Sequence, residues 1–335
     1  MGRGIALGRV AGVRIRADWS LLVIAGLILV SLATLVFPEA VTGTPWWLDW
    51  LLSAAATVLF FGSLLAHELA HSVVARRRGV TVEGITLWLF GGISQLRDEV
   101  ASPGDTLRIT VVGPSASIAL GLVFGAVALA LIASGAPDIY VLVPLWLAGM
   151  NVLLGVFNLI PAFPLDGGRI LQALLWRRSG DRVGATLRAA RGGRSVGLVM
   201  IAVGFFLFLA YDPLSGLWVA FVGWFLMTAA GAEQNHIQMG AVLAGLRVRD
   251  IMSPDPVVVP GWLTVDGFLR DIAIGSRHSC FPVRDWGGAI VGMISLRRLA
   301  AVPPDRRLAV RVQDVAAPSA LVPAASPDDA VTELA

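Results

Sequence analysis

Long uncharged apolar runs dominate the first two thirds of the chain, and each has the length of a bilayer crossing. Six stretches qualify: residues 19–37, 50–66, 109–132, 139–157, 195–211 and 214–231. A helix rises about 1.5 Å per residue, so about 20 apolar residues cross a hydrocarbon layer of about 30 Å. Burying six such stretches inside a soluble globule would leave too little polar surface to solvate it. The pattern predicts an α-helical polytopic membrane protein with six transmembrane helices over residues 1–235.

Arginine placement orients these spans. Arg3, Arg9, Arg14 and Arg16 precede the first, and Arg76, Arg77 and Arg78 follow the second. The link between the fourth and fifth carries Arg169, Arg177, Arg178, Arg182, Arg188, Arg191 and Arg194, whereas residues 38–49, 133–138 and 212–213 contain no arginine. Every basic loop falls on one side if all six segments cross, which puts the N-terminus and the C-terminal part in the cytoplasm.

Two segments break the pattern. Residues 80–90 read as a β-strand, Gly91-Gly92 as a turn or bulge, and Ile93-Ser-Gln-Leu as a returning strand. Trp88, Leu89 and Phe90 place this membrane-associated β-hairpin against the bilayer interface. From about Leu246 hydropathy falls, and short strand and helix signals alternate as in a small cytosolic α/β module. Val310-Arg-Val-Gln-Asp-Val-Ala-Ala-Pro resembles Leu246-Arg-Val-Arg-Asp-Ile-Met-Ser-Pro, so a second copy starts at residue 310 and stops at Ala335, short of a complete fold.

Composition sharpens this picture. The 335 residues are 56% hydrophobic and 15% charged, well beyond a soluble domain's apolar share. All 26 basic residues are Arg, yet the formal charge is only +3, so nucleic acid is not an expected partner. The single Cys280 excludes an intrachain disulfide and a cysteine-based zinc cluster. The first apolar stretch is long and lacks a small-residue cleavage site, so no cleavable signal is expected.

Chemistry concentrates where the second and fourth spans reach the cytoplasmic side. His67-Glu68-Leu69-Ala70-His71 puts two imidazoles one helical turn apart on one face, where both reach one metal. Glu68 beside them need not ligate and can act as a base. Ionisable residues are costly in an apolar span and usually functional, which favours chemistry over helix capping. Catalytic zinc takes three protein ligands and leaves a position open. His236 and His278 lie outside this region, so Asp166, in Asn158-Leu-Ile-Pro-Ala-Phe-Pro-Leu-Asp-Gly-Gly-Arg169, is the better third ligand. Pro161 and Pro164 prevent a regular helix there, and Gly167-Gly168 allow close backbone approach.

On these residues the chain resembles the site-2 protease family of intramembrane zinc metalloproteases, in its bacterial branch with CBS domains. The carrying residues are His67-Glu68-x-x-His71 and Asn158-x-x-Pro161-x-x-Pro164-Leu165-Asp166-Gly167, with Gly113-Pro114 and the Gly91-Gly92 hairpin in support. The resemblance implies one zinc per chain on His67, His71 and Asp166, with Glu68 as catalytic base. It also implies single-pass transmembrane proteins, such as anti-sigma factors, as substrates in a bacterial cytoplasmic membrane. Many members carry Asn shortly after the Gly-Pro; here Ser117 stands there, and no polar role is carried over. Asn158 is the better-matched polar residue and could bond the substrate carbonyl, while Gly91 and Gly92 belong to a hairpin edge that could hold an unwound substrate strand.

Residues 246–309 resemble one CBS repeat, through Phe281-Pro-Val-Arg-Asp and Gly292-Met-Ile-Ser-Leu-Arg-Arg-Leu. Such repeats pair, and some pairs bind adenine nucleotides, an Asp three residues after Ser/Thr holding the ribose. Arg298 takes that place here, which argues against a ribose contact although Arg297 and Arg298 could meet phosphate. An apolar pairing face, signalled by residues 257–259 and 268–274, implies a homodimer through this module. A zinc or cation transporter and a catalytically silent ligand sensor are the rival classes. A transporter has no need of Glu68 between the histidines. The intact paired motifs argue against a silent protein. The arginine pattern makes a direct prediction: tags at Gly43, Gly135 and Asp212 report extracytoplasmic, and tags at Gly79, Gly180 and Gly261 cytoplasmic. A cytoplasmic Gly135 tag would break the six-span reading.

Overall fold

Alternation decides the first elements. In Val13-Arg-Ile-Arg-Ala17 the three apolar residues are buried and both arginines exposed, the period of a half-buried strand. The structure, a computed structural model, describes residues 4–10, 12–88, 91–96, 100–243 and 245–331. Strand β1 (Ile5–Val10) pairs antiparallel with β2 (Val13–Ala17). These two strands were not expected, because their arginines were read only as a topology signal.

Strand β2 lies parallel to β3 (Val82–Trp88), which turns back into β4 (Gly91–Leu96). The predicted hairpin is therefore half of a four-stranded sheet in the order β1-β2-β3-β4. Leu89 and Phe90 lie outside the described residues. Val13, Ala17, Ile85 and Leu87 form one apolar cluster with Leu21, Leu65 and Leu69. Leu69 adjoins Glu68 in the chain, so this packing seats the sheet beside the His-Glu-x-x-His turn.

Among the described residues six helices have the length and apolar composition of spans: α1 (Trp19–Ala40), α2 (Trp46–Arg77), α3 (Pro103–Ala133), α4 (Asp138–Asn158), α6 (Arg182–Ala210) and α7 (Pro213–Leu243). Between α4 and α6 lies α5 (Asp166–Ser179). The helices run past the apolar stretches that foretold them, since hydropathy does not register a polar turn as helical. Helix α6 shows this best, continuing N-terminally through Arg194, Arg191 and Arg188 to an Asp181 cap. Apolar side chains on these helices face outward, including Leu122, Leu129, Phe205 and Leu209, each more than 60% exposed. A soluble protein would bury them; a lipid-facing bundle would not.

Close backbone approach holds the bundle together, as expected where lipid removes the hydrophobic drive between helices. A Cβ on Gly121 of α3 would lie 2.7 Å from Val152 of α4, and one on Gly155 would lie 3.0 Å from the Pro114 carbonyl. Helices α6 and α7 meet likewise, Gly197 against the Gly223 carbonyl and Gly204 against Ala220 and Gly216.

Residues Met239–Ala335 form a second compact unit. Its sheet, in the order β5-β6-β7-β8, comprises β5 (Val259–Pro260), β6 (Cys280–Arg284), β7 (Ile290–Ser295) and β8 (Ala317–Pro318). The two similar segments begin alike, the backbone N–H of Arg247 donating to Asp250 and that of Arg311 to Asp314. The segment from Val310 also completes the first core, where Val312 is fully buried with Val259, Phe268 and Phe281. Much of the expected pairing face is thereby covered within the unit. Val259 and Phe268 are fully buried, and only its ends, Val257 at 42% and Ile274 at 84%, stay well exposed. Arg298 donates to the Val315 carbonyl at 3.3 Å.

The α6–α7 seam carries its own prediction. Gly204→Val must push the helices apart, and overpacking of this kind costs about 1–3 kcal/mol. The thermal midpoint of the detergent-solubilised protein should fall; an unchanged midpoint would contradict the seam.

Candidate metal centre

Helix α2 supplies two residues of the site from one turn, and the first residue of α5 supplies the third. The chain between α4 and α5 folds back on itself to bring Asp166 in. A Cβ on Gly167 would collide with the Leu159 and Ile160 carbonyls, and one on Gly168 would lie 2.5 Å from the Phe163 nitrogen. Only glycine lets the loop with Pro161 and Pro164 lie against the first turn of α5, as its sequence predicts. Asp166 sits in that turn, where a helix N-terminus favours a carboxylate.

His67, His71 and Asp166 converge within the bundle, with side chains 4%, 12% and 15% exposed. His67 Nε2 lies 3.2 Å from Asp166 Oδ2, His71 Nε2 lies 3.2 Å from the same oxygen, and the two Nε2 atoms are 3.2 Å apart. This is an equilateral triangle of ligand atoms. Ligands about 2.0 Å from a tetrahedral zinc are separated by about 3.3 Å, so the triangle is one face of that tetrahedron. Burial pushes the Asp166 carboxyl up, but the two imidazoles beside it outweigh burial and bring it down to about 2. The carboxylate is ionised at neutral pH, as a cation ligand must be. Among the described residues this is where such ligands gather, and the donor set fits zinc.

The rings are held from behind. His71 Nδ1–H donates to the Ile109 carbonyl at 2.7 Å, which turns the Nε2 lone pair to the site. His67 Nδ1 lies 2.9 Å from the hydroxyl of Ser117, which is fully buried. The motifs of the sequence did not point to Ser117 as a residue of this site. The available signal was its position four residues after Gly113, on the same face of α3. A Cβ on Gly113 itself would collide with His71 and lie 2.8 Å from His67 Nε2.

Glu68, half-buried, points toward β4, where a Cβ on Gly92 would lie 2.5 Å from its carboxyl carbon. Gly91 begins β4 with φ 131°, a conformation that favours glycine. Asn158 ends α4 and donates to the Leu154 carbonyl at 3.0 Å. His278 is exposed in the second unit, and the side chain of His236 lies outside the described residues.

The profile of peptidase family M50 matches residues 55–141 and 138–204, which span the site. A relative named zinc metalloprotease Rip3, from Mycobacterium tuberculosis, is 47% identical over 334 residues, covering 100% of this chain and 85% of that protein. The chain belongs to peptidase family M50, the site-2 proteases. This M50 chain is similar also to zinc metalloprotease sll0528 of Synechocystis, 33% identical over 90% of the chain and 79% of the relative. The solved site-2 protease from Methanocaldococcus jannaschii is 29% identical, covers 69% of this chain and 95% of that one, and gives a TM-score of 0.47. The protein is a zinc metalloprotease and a multi-pass membrane protein, so the transporter and silent-sensor readings fall away.

The fit between Gly92 and Glu68 can be tested apart from the metal. Gly92→Ala inserts a methyl group where the Glu68 side chain lies and should displace the carboxylate. Cleavage should fall at least tenfold with zinc content unchanged by atomic absorption; full activity would show that β4 does not constrain Glu68.

Proposed function

We propose that this M50 protease cuts single-pass membrane proteins within or near their spans, with zinc on His67, His71 and Asp166 and with Glu68 as general base. The triangle of ligand atoms 3.2 Å on each side is the observation that carries the reading. Bound there, zinc supplies Lewis-acid polarisation of the scissile carbonyl and acidifies a water. Glu68 takes a proton from the attacking water at its carboxylate and returns it to the nitrogen of the departing amine. Asn158, at the same end of α4, is assigned to the substrate carbonyl, a role its Nδ2–H can take by leaving the Leu154 carbonyl.

A helical substrate hides its amide bonds, so it must unwind before the carbonyl becomes reachable. Strand β4 is the edge of its sheet, and Gly92 of that strand packs on Glu68. An unwound segment added to this edge runs past the base, with Gly91 and Gly92 leaving room for it. The arginine pattern supports both ends of the chain in the cytoplasm, the relatives from Mycobacterium tuberculosis and Synechocystis support a bacterial cytoplasmic membrane, and anti-sigma factors suit that compartment. The second unit is assigned to a CBS module that regulates substrate access. Val257 and Ile274 are the apolar residues left to pair with a second copy. With Asp three residues after Ser295 replaced by Arg298, an adenine nucleotide has only phosphate contacts to offer that unit.

Purified protein should hold about one zinc per chain. His67→Ala, His71→Ala and Asp166→Ala should each remove most of it, and full occupancy in Asp166→Ala would mean a wrong third ligand. Glu68→Gln should keep zinc and lower cleavage of a co-expressed single-pass substrate by about 10²–10⁴-fold. Wild-type cleavage by Glu68→Gln would remove Glu68 from the reaction.

A further inference from the structure

The two histidines at the metal centre are not held alike. His71 Nδ1 faces the carbonyl of Ile109, which can only accept, so its proton sits on Nδ1 and Nε2 is free to ligate. His67 Nδ1 faces the hydroxyl of Ser117, which accepts or donates with equal ease. If Ser117 donates, His67 carries its proton on Nε2, where Asp166 Oδ2 at 3.2 Å stands ready to accept it. That tautomer cannot bind a metal through Nε2. Ser117 alone does not choose between the two, and the choice depends on where its own proton goes.

The ordinary outlet for a serine in a helix is the carbonyl four residues back, and Ser115 uses it, donating to Val111 at 2.8 Å. Among the described residues Ser117 makes no such bond to Gly113. Across the seam, Asn151 of α4 is fully buried. Its Nδ2–H donates to the Leu147 carbonyl at 2.9 Å, while its Oδ1 has no hydrogen-bond partner among the described residues. A buried amide oxygen without a donor is an exception that calls for one. The two residues lie on the facing helices of one seam, although Asn151 Oδ1 makes no direct hydrogen bond to the Ser117 hydroxyl. Gly121 packs on Ala148 and Val152, and Gly155 packs on Pro114 and Ile118. Ser117 lies between Pro114 and Gly121 and Asn151 between Ala148 and Gly155, so this antiparallel register sets them about one helical turn apart on the facing helices.

We propose that Asn151 is a positioning residue for the metal centre: its Oδ1 accepts from one enclosed water, which in turn accepts the Ser117 hydroxyl proton. Ser117 then accepts from His67 Nδ1–H, and the His67 Nε2 lone pair faces the metal. The inference rests on the reading of His67 as a zinc ligand. It also accounts for a polar residue in the middle of an apolar span, where an amide is retained only if it has work to do.

Zinc affinity, measured by competition with a chromophoric chelator in detergent, separates the possibilities. Asn151→Leu should weaken binding by about 10–100-fold, the usual effect of losing a group behind a ligand. Asn151→Ala, which cannot overpack the seam, is measured beside it. Because Asn151 acts through Ser117, the double variant with Ser117→Ala should bind no more weakly than Ser117→Ala alone. Ser53→Ala, which removes a hydroxyl equally buried and unpartnered on α2, should bind as the wild type does. In zinc-loaded protein with 15N-labelled histidine, the His67 Nδ1–H resonance should shift toward a weaker hydrogen bond in Asn151→Leu, with that of His71 unmoved. Wild-type affinity in both Asn151 variants would overturn the proposal, and so would a loss that adds in full to that of Ser117→Ala. His67→Ala keeps the two readings apart. If it loses zinc while the Asn151 variants do not, only Asn151 is misassigned; if it keeps zinc, the ligand assignment itself fails.

Discussion

Three polar atoms must be held 3.2 Å from one another inside a bundle whose outer surface is hydrocarbon. Two imidazole lone pairs and a carboxylate oxygen do not gather spontaneously in such a place. Each loses hydration on entering, and together they concentrate electron density that only a cation relieves. The surrounding architecture answers this demand: backbone and hydroxyl groups fix the rings from behind, and glycines clear space where helices must close in.

Rigidity of that surround matters as much as the ligands. His67 and His71 come from one turn of α2, so their spacing is fixed by helix geometry and needs no other support. Asp166 arrives from a different part of the chain, and its placement depends on a loop braced by Pro161 and Pro164 and by the contacts of Gly167 and Gly168 with that loop's own backbone. Helix α3 contributes no ligand, yet Gly113, Ile109 and Ser117 on it touch or orient both histidines. The third span therefore works as the wall against which the metal site is set.

The sheet plays the corresponding part for Glu68. Its apolar face is anchored on Leu65 and Leu69, which flank Glu68 in the chain, and Gly92 on its edge strand packs on the Glu68 side chain. An edge strand beside the Glu68 carboxylate gives an extended peptide somewhere to pair.

The sequence by itself determined the six candidate spans, the hairpin, and the set of His67, His71 and Asp166 that the structure gathers with Glu68 beside it. Those features depend on local pattern: an apolar run long enough for the bilayer, a four-residue helical spacing, a proline-interrupted loop with paired glycines. The strands at Ile5–Val10 and Val13–Ala17 escaped notice because they are only six and five residues long, the first is almost wholly exposed, and their arginines also report topology. Helix α5 escaped because hydropathy does not distinguish a polar helix from a loop. What only the tertiary structure decided is which neighbours complete each local signal. Ser117 reaches His67 across 50 residues of chain, Val312 closes the core of the second unit, and the oxygen of Asn151 is left without a partner. Such pairings depend on the approach of one helix to another, and that approach is set by side-chain volumes summed along a whole seam, which no single stretch of sequence contains.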